Sequence, residues 1–324
     1  MKKLIALVLC LMMAAALIPA NAEGALKTGL AAVVAMTPSD AGEKDGQVRN
    51  EVTIAAVTVD ADGKIADCKI DAYRTDIKFN TKGELTNTDA EIITKNAMGE
   101  AYGMSAIAPK GEWNVQAAGF AAYCVGKTLD EIKGIALTDG KATDEDILAT
   151  TTISIGDFVE VVALAVEKAE ERGAQAGDTL YLTSTANMRS SKAATENKDG
   201  QTQLDVTYAA VTVNGDTVTS VVIDGVQPKA TFSAEGKVTS DTTEKVQSKL
   251  EKGDAYGMQA ASKLEKGEWY QQAEGFCAYA TGKTVAELAG IALGEDGKAT
   301  DADILATTTI AIGDFVALFA GIAK

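Results

Sequence analysis

The residues best placed to do chemistry lie in a threonine-rich stretch that occurs twice. Asp146-Ile147-Leu148-Ala149-Thr150-Thr151-Thr152-Ile153-Ser154 runs into an apolar helical pattern beginning near Gly156, and Asp303 to Ala311 repeats it. Hydroxyls and amides ahead of a helix N-terminus suit an anion such as phosphate, because the first helical N–H groups are unpaired and the dipole is positive there. The same residues suit plain capping, in which threonines satisfy local backbone donors. The sequence leaves these two readings level.

The other candidate groups are thiols and carboxylates. Histidine is absent, which excludes His-based triads, His-bearing zinc sites and His-ligated haem. Cys68 has Val221 as its counterpart in the second half, so it reads as a packing residue. Cys124 aligns with Ala280 and Cys277 with Ala121, three residues apart on one helix face. They read either as an inter-domain disulfide or as unpaired, semi-buried thiols. Asp60-Ala61-Asp62-Gly63 and the run from Asp139 to Asp146 are oxygen-rich, but neither has the length and closing glutamate of a calcium loop, so both read as solvated turns. No nucleophile elbow, phosphate loop, dinucleotide motif or haem-attachment motif is present. The expectation is an electron carrier or binding protein and not an enzyme with catalytic residues of its own.

The elements that must position these residues come in two sets. Shifting the chain on itself by 153 to 157 residues aligns its halves. Val52 to Val59 matches Val206 to Val213, "AYGM" at Ala101 returns at Ala255, "KGEW" at Lys110 returns at Lys266, and "GKT" at Gly126 returns at Gly282. The longest match sets Asp139 to Phe158 against Asp296 to Phe315. Tyr102/Tyr256, Trp113/Trp269, Gly119/Gly275, Phe120/Phe276 and Tyr123/Tyr279 are also kept, as residues that hold helix packing would be.

Each half opens with a strand (29–34 or 179–183), then strands over 52–59 and 64–72 with the turn residues 60–63 between them. The period then lengthens to a helical one, predicting helices over 91–102, 114–124 and 156–172. Strands followed by helices predict an α+β fold, each copy being a small antiparallel sheet covered by helices on one face. The expected division is a leader at 1–22, a first copy at 23–173 and a second at 174–324, with the linker near Arg172 to Gly177.

Met1-Lys2-Lys3, an apolar run from Leu4 to Ile18, Pro19 and the small-residue site Ala20-Asn21-Ala22 follow the order of a secretory signal cleaved before Glu23. Its apolar run is about 15 residues, short of the roughly 20 that span a bilayer, and no later segment in the sequence is long and apolar enough. Removal takes two of the 30 basic side chains and none of the 46 acidic ones, so the formal charge of −16 becomes −18. Such a surface repels nucleic acid and anionic lipid. The expected location is extracytoplasmic, either secreted or associated with the cell envelope.

The order "YGM", "EW" with a Gln-bearing helix, "GKT", then an Asp-headed Thr/Ser segment running into "IGDF" resembles the bacterial FMN-binding domain family of exported and membrane-associated electron-transfer proteins. The resemblance covers about Val52 to Ala165 and Val206 to Ile322. In that family the flavin phosphate can be esterified to a threonine of an Asp-x-x-Ser/Thr-Gly-Ala-Thr segment by a flavin transferase. The resemblance therefore implies FMN as cofactor, Thr152 and Thr309 as acceptors, Asp146 and Asp303 as the acidic heads, Thr151 and Thr308 beside them, and a redox partner at the membrane. The sequence departs from that form: Ala149 stands where Ser or Thr is expected, and Thr150-Thr151 replace Gly-Ala. The alternative expectation is a non-catalytic extracellular or surface protein that keeps the fold as a binding or structural module without flavin.

Overall fold

A computed structural model describes residues 24–262 and 266–323. The leader expected at 1–22 lies outside the described residues. The fold is α+β. Copy 1 runs β1 (Ala25–Ser39), β2 (Gly46–Val59), β3 (Ile65–Phe79), α1 (Lys95–Met98), α2 (Trp113–Cys124), α3 (Leu129–Lys133), the short pair β4 (Leu137–Thr138) and β5 (Lys141–Ala142), α4 (Glu145–Leu148) and α5 (Gly156–Glu167). The connecting strand β6 (Glu170–Gln175) leads into copy 2: β7 (Thr179–Asn187), β8 (Gly200–Gln203), β9 (Asp205–Asn214), β10 (Thr217–Val226) and β11 (Lys229–Phe232). Then follow α6 (Lys249–Lys252), α7 (Met258–Ser262), α8 (Trp269–Ala280), α9 (Val285–Ala289), α10 (Ala302–Leu305) and α11 (Gly313–Ile322).

The expected hairpin joins β2 to β3, with Val52 opposite Tyr73 and Val57 opposite Cys68. Its turn is set by Asp60, whose Oδ1 accepts the Asp62 and Lys64 amides at 3.0 and 2.9 Å. Sheet order is β3-β2-β1-β6 in copy 1 and β10-β9-β7 in copy 2, all antiparallel. Pro228, which has no N–H to give a ladder, separates β10 from β11, and Leu204 separates β8 from β9. Copy 1 runs unbroken through the same register.

The segment 52–59 is apolar at nearly every position because both faces of the sheet are covered. Ala55, Val57 and Val59 point into a core with Trp113, Ala117, Phe120, Phe158, Val161 and Val162 from the helices. Val52, Ile54 and Ala56, on the opposite face, pack with Leu180, Val206, Tyr208, Ala210 and Val222 of the other copy. The chain is thus four layers, helices outside and two sheets back to back inside. Phe79 and Phe232 close one end of the inner core, stacked at 4.1 Å.

Two elements differ from the sequence expectation. The helix predicted over 91–102 is reduced to α1 and a 3-10 turn over Gly99–Tyr102, because Gly99 and Gly103 adopt φ of 50° and 76° and break the ladder. The helix predicted to reach 172 stops at Glu167, and what was expected to be a linker is β6, paired to β1 through Thr28–Glu170 and Ala25–Gln175.

The end of the inner interface that Phe79 and Phe232 close is also sealed by a pair of crossed bonds. The Ala41 amide donates to Gly236 O and the Ala194 amide to Gly83 O, both at 2.8 Å, and both glycines have positive φ (72° and 69°). A Cβ on Gly236 would fall 2.6 Å from Ala41 Cβ and from Asn80 O. Gly236→Ala is expected to lower the unfolding free energy by about 2 kcal/mol or more, from left-handed strain and overlap together, measured by denaturant titration.

Candidate functional site

The threonine segments are built into the fold by a glutamine. Gln116 of α2 is fully buried, and its Nε2 donates to Gly111 O at 2.9 Å. Its Oε1 accepts the Thr152 amide at 2.8 Å and the Thr152 hydroxyl at 3.3 Å. The buried Thr151 hydroxyl donates to the backbone oxygen of Gln116 at 2.8 Å. Copy 2 repeats every bond: Gln272 Nε2 to Gly267 O at 3.0 Å, Thr309 N and Oγ1 to Gln272 Oε1 at 2.8 and 3.2 Å, and Thr308 Oγ1 to Gln272 O at 2.8 Å. Thr150 lies against Gly119, where a Cβ would come within 2.7 Å of it, and Thr307 lies likewise against Gly275 at 2.6 Å. The glycine kept in each copy is therefore the floor on which a threonine sits.

Asp146 is exposed in the first turn of α4, where its amide donates to Asp144 Oδ1 at 2.8 Å, and Asp303 is placed the same way under Asp301 at 2.8 Å. The segment that sequence reasoning pointed toward the start of α5 is directed to α2 instead. Ile155, ahead of α5, gives no side-chain cap.

The acceptor hydroxyls are engaged with Gln116 and Gln272, and Thr151 and Thr308 are buried with their hydroxyls spent on helix carbonyls. An isoalloxazine needs a pocket of some 300 Å³ or more. Two cavities of about 460 and 400 Å³ among the described residues are lined by other side chains than Thr151, Thr152, Asp146, Thr308, Thr309 and Asp303.

Sequence reasoning missed a second set of paired residues. The Lys95 ammonium sits 5.4 Å from the Tyr102 ring centre and 5.1 Å from that of Trp113, with Glu51 at 4.0 Å. Lys249 sits 5.4 Å from Tyr256 and 4.8 Å from Trp269. Burial pulls the Lys249 ammonium below its ordinary range, against the opposing pull of Asp205, Asp314 and Asp224. Below each lysine an aspartate, half-buried in copy 1 and buried in copy 2, caps the short helix: Asp71 Oδ1 accepts the Asn96 amide at 3.1 Å and Asp224 Oδ1 the Leu250 amide at 3.0 Å. Burial pushes both carboxyls up.

Glu112 accepts the Met104 and Ser105 amides at 2.8 and 2.9 Å, and Glu268 accepts those of Met258 and Gln259 at 3.0 and 2.7 Å. The Ser105 hydroxyl and amide hold Glu112 below the usual carboxylate range. The recurring "YGM" and "EW" are thus two halves of one contact. The signal for all of these was available, since each charged residue has its like at the repeat spacing. Among the described residues no cluster of His, Cys, Asp and Glu can hold a metal ion, and no helix is long and apolar enough to cross a membrane.

No protein-family model, curated protein or solved structure matches this chain.

Cys68, Cys124 and Cys277 are free and buried. Cys68 and Cys124 share the core of copy 1, whereas Cys277 belongs to the core of copy 2. The Cys124–Cys277 bridge, one of the two sequence readings, is not formed. The neighbouring Cys124 thiol and then burial push the Cys68 thiol up, and burial pushes Cys277 up to about 12. All three thiols are buried out of reach of reagent, so iodoacetamide is expected to leave them unmodified in the native protein and to alkylate them after denaturation, read by mass spectrometry.

Lys249 also sets a pH dependence. Its folded value lies below the ordinary 10.5, so over that interval the unfolded chain binds more protons and stability rises with pH. Lys249→Met removes that contribution. Denaturant midpoints should show the parent gaining on the variant as pH rises toward 10.5, a trend opposite to that of a lysine held by its partners.

Proposed function

We propose that this chain is an exported, non-catalytic binding module in which two copies of one domain are joined back to back, and that it works without flavin. The observation that carries this reading is the doubled glutamine latch: the hydroxyls best suited to chemistry are used, in the same way in both copies, to fasten the segment before α5 to the preceding helix. The lysines support it, since each ammonium lies against the rings of two aromatic residues, Lys95 on Tyr102 and Trp113 and Lys249 on Tyr256 and Trp269, as a structural tie would. Export rests on the leader sequence alone.

The test pairs colour with stability. The chain is produced for export together with a flavin transferase and compared with Thr152→Val and Thr309→Val. The expected protein is colourless, carries no fluorescence on a denaturing gel, and is destabilised by roughly 1–2 kcal/mol in each variant through loss of a partly buried hydroxyl bond. Yellow protein whose fluorescence survives denaturation and falls with each substitution would establish the electron-carrier reading in its place.

A further inference from the structure

The two copies differ most at one groove. In copy 2, the groove between the edge of β10 and helices α6 and α8 holds the chain's own segment from Glu167 to Gln175. That segment pairs as β6 with β1, and Gly173 comes so close to β10 that a Cβ there would fall 2.5 Å from Thr219 O. Two ion pairs clamp it: Lys168 to Glu251 of α6 at 2.9 Å and Arg172 to Glu274 of α8 at 2.7 Å. The residues lining the groove are divided between cavities of about 240 and 400 Å³ on either side of this strand.

The corresponding place in copy 1 is one open cavity of about 460 Å³, walled by Asp67 to Asp71 of β3, Ala118, Ala122 and Val125 at α2, and Leu180 to Leu182 of β7. No strand crosses it among the described residues. Among the described residues β7 is the edge of its sheet with β9 as its one neighbour, whereas β1, its counterpart, is paired on both sides. The acids that clamp β6 are missing as well: Ala97 stands at the position of Glu251 and Ala118 at that of Glu274. On the exposed side of the helix, Val115, Ala118, Ala122 and Val125 form an apolar stripe where copy 2 has Gln271, Glu274, Ala278 and Thr281, and Val115 and Val125 are 55% and 45% exposed.

We infer that this groove accepts an extended strand of another polypeptide, added to the free edge of β7, with aliphatic side chains at the two positions where β6 carries Lys168 and Arg172. This rests on the reading of the chain as a binding module. Backbone bonds to β7 supply affinity, as the β1–β6 pair supplies them in cis, and the apolar floor with no acidic clamp selects aliphatic over basic side chains. A basic residue there would lose the two glutamates that answer Lys168 and Arg172 in copy 2, and the carboxylates that do line the cavity are already engaged, Asp67 with Lys69 and Asp71 with the Ala72 and Asn96 amides.

The experiment uses a capped nine-residue peptide copying Glu167–Gln175 with valine in place of Lys168 and Arg172, and the unmodified copy, titrated into the whole protein by calorimetry. The valine peptide is expected to bind about tenfold or more tightly than the unmodified copy, and the Ala97→Glu, Ala118→Glu double variant to reverse that preference. Both substituted residues are at the surface or in short α1, and an unchanged denaturant midpoint confirms that the variant is folded. A valine peptide with proline at the position of Glu171 is expected not to bind, since it lacks a ladder donor. No binding of the valine peptide, or binding indifferent to both the double variant and the proline, overturns the inference. A protein that is dimeric by sedimentation and takes the peptide only when diluted to monomer overturns it too, by assigning the groove to a second copy. None of these outcomes depends on whether the protein is coloured, so a failure here is separable from a failure of the non-flavin reading.

Discussion

The contact on which the rest of the molecule depends is that of the two sheets, face against face. Each sheet is apolar on both sides, and the helices of its own copy cover only one. Leu30, Val52, Ile54, Ala56, Tyr73 and Ile77 from one sheet and Leu180, Val206, Tyr208 and Ala210 from the other would face water in a single copy. Burying an aliphatic side chain contributes roughly 1.5–3 kcal/mol, so the exposed inner face of a lone copy would forfeit more than a domain's net stability. The tandem arrangement is therefore a requirement of folding, and the two copies form one structural unit. Polar bonds across the interface fix its register: Thr28 to Ser220 at 2.8 Å and Tyr73 to Ser184 at 2.9 Å.

Given that frame, most of the motifs that recur at the repeat spacing turn out to be joints. The lysine cage ties α1 or α6 to the aromatic residues of the next helix, the aspartate below it caps the same short helix, and the glutamate of "EW" closes the turn of "YGM". Short helices of four or five residues cannot stand by propensity, because nucleation costs more than so few bonds return. They are held in place by side chains, and those side chains must stay the same type in both copies. Retention within one chain thus measures how much local structure hangs on a residue before it measures chemistry.

This explains which features the sequence revealed. The strand over 52–59, its hairpin turn, the helix over 114–124 and the duplication were all readable, since each is written in local periodicity or in self-similarity. The latch was only half readable. The threonines stood out, but their partner Gln116 lies more than thirty residues away, and nothing local distinguishes a hydroxyl aimed at α2 from one aimed at α5. The helix over 91–102 was overextended because the positive φ of Gly99 and Gly103 is a tertiary choice, which a glycine permits and does not announce. The inner face was hidden for a different reason. A continuous apolar run says that both faces are covered, and it cannot say by what.

β6 was read as a linker because Glu-Glu-Arg-Gly-Ala-Gln has no alternating apolar pattern, and the reason lies in how the strand is held. It is fastened by its ladder to β1 and by ion pairs at its flanks, with Ala174 its one buried residue. A connection between two back-to-back copies must leave the first sheet and enter the second, so it passes one of the two equivalent grooves and cannot pass the other. From that single inequality the divergence of the helices follows: α8 and α6 carry the glutamates that answer Arg172 and Lys168, while α2 and α1 carry alanines where no basic residue arrives. The near-twofold relation between the copies is broken by topology, and the side chains differ where the break falls.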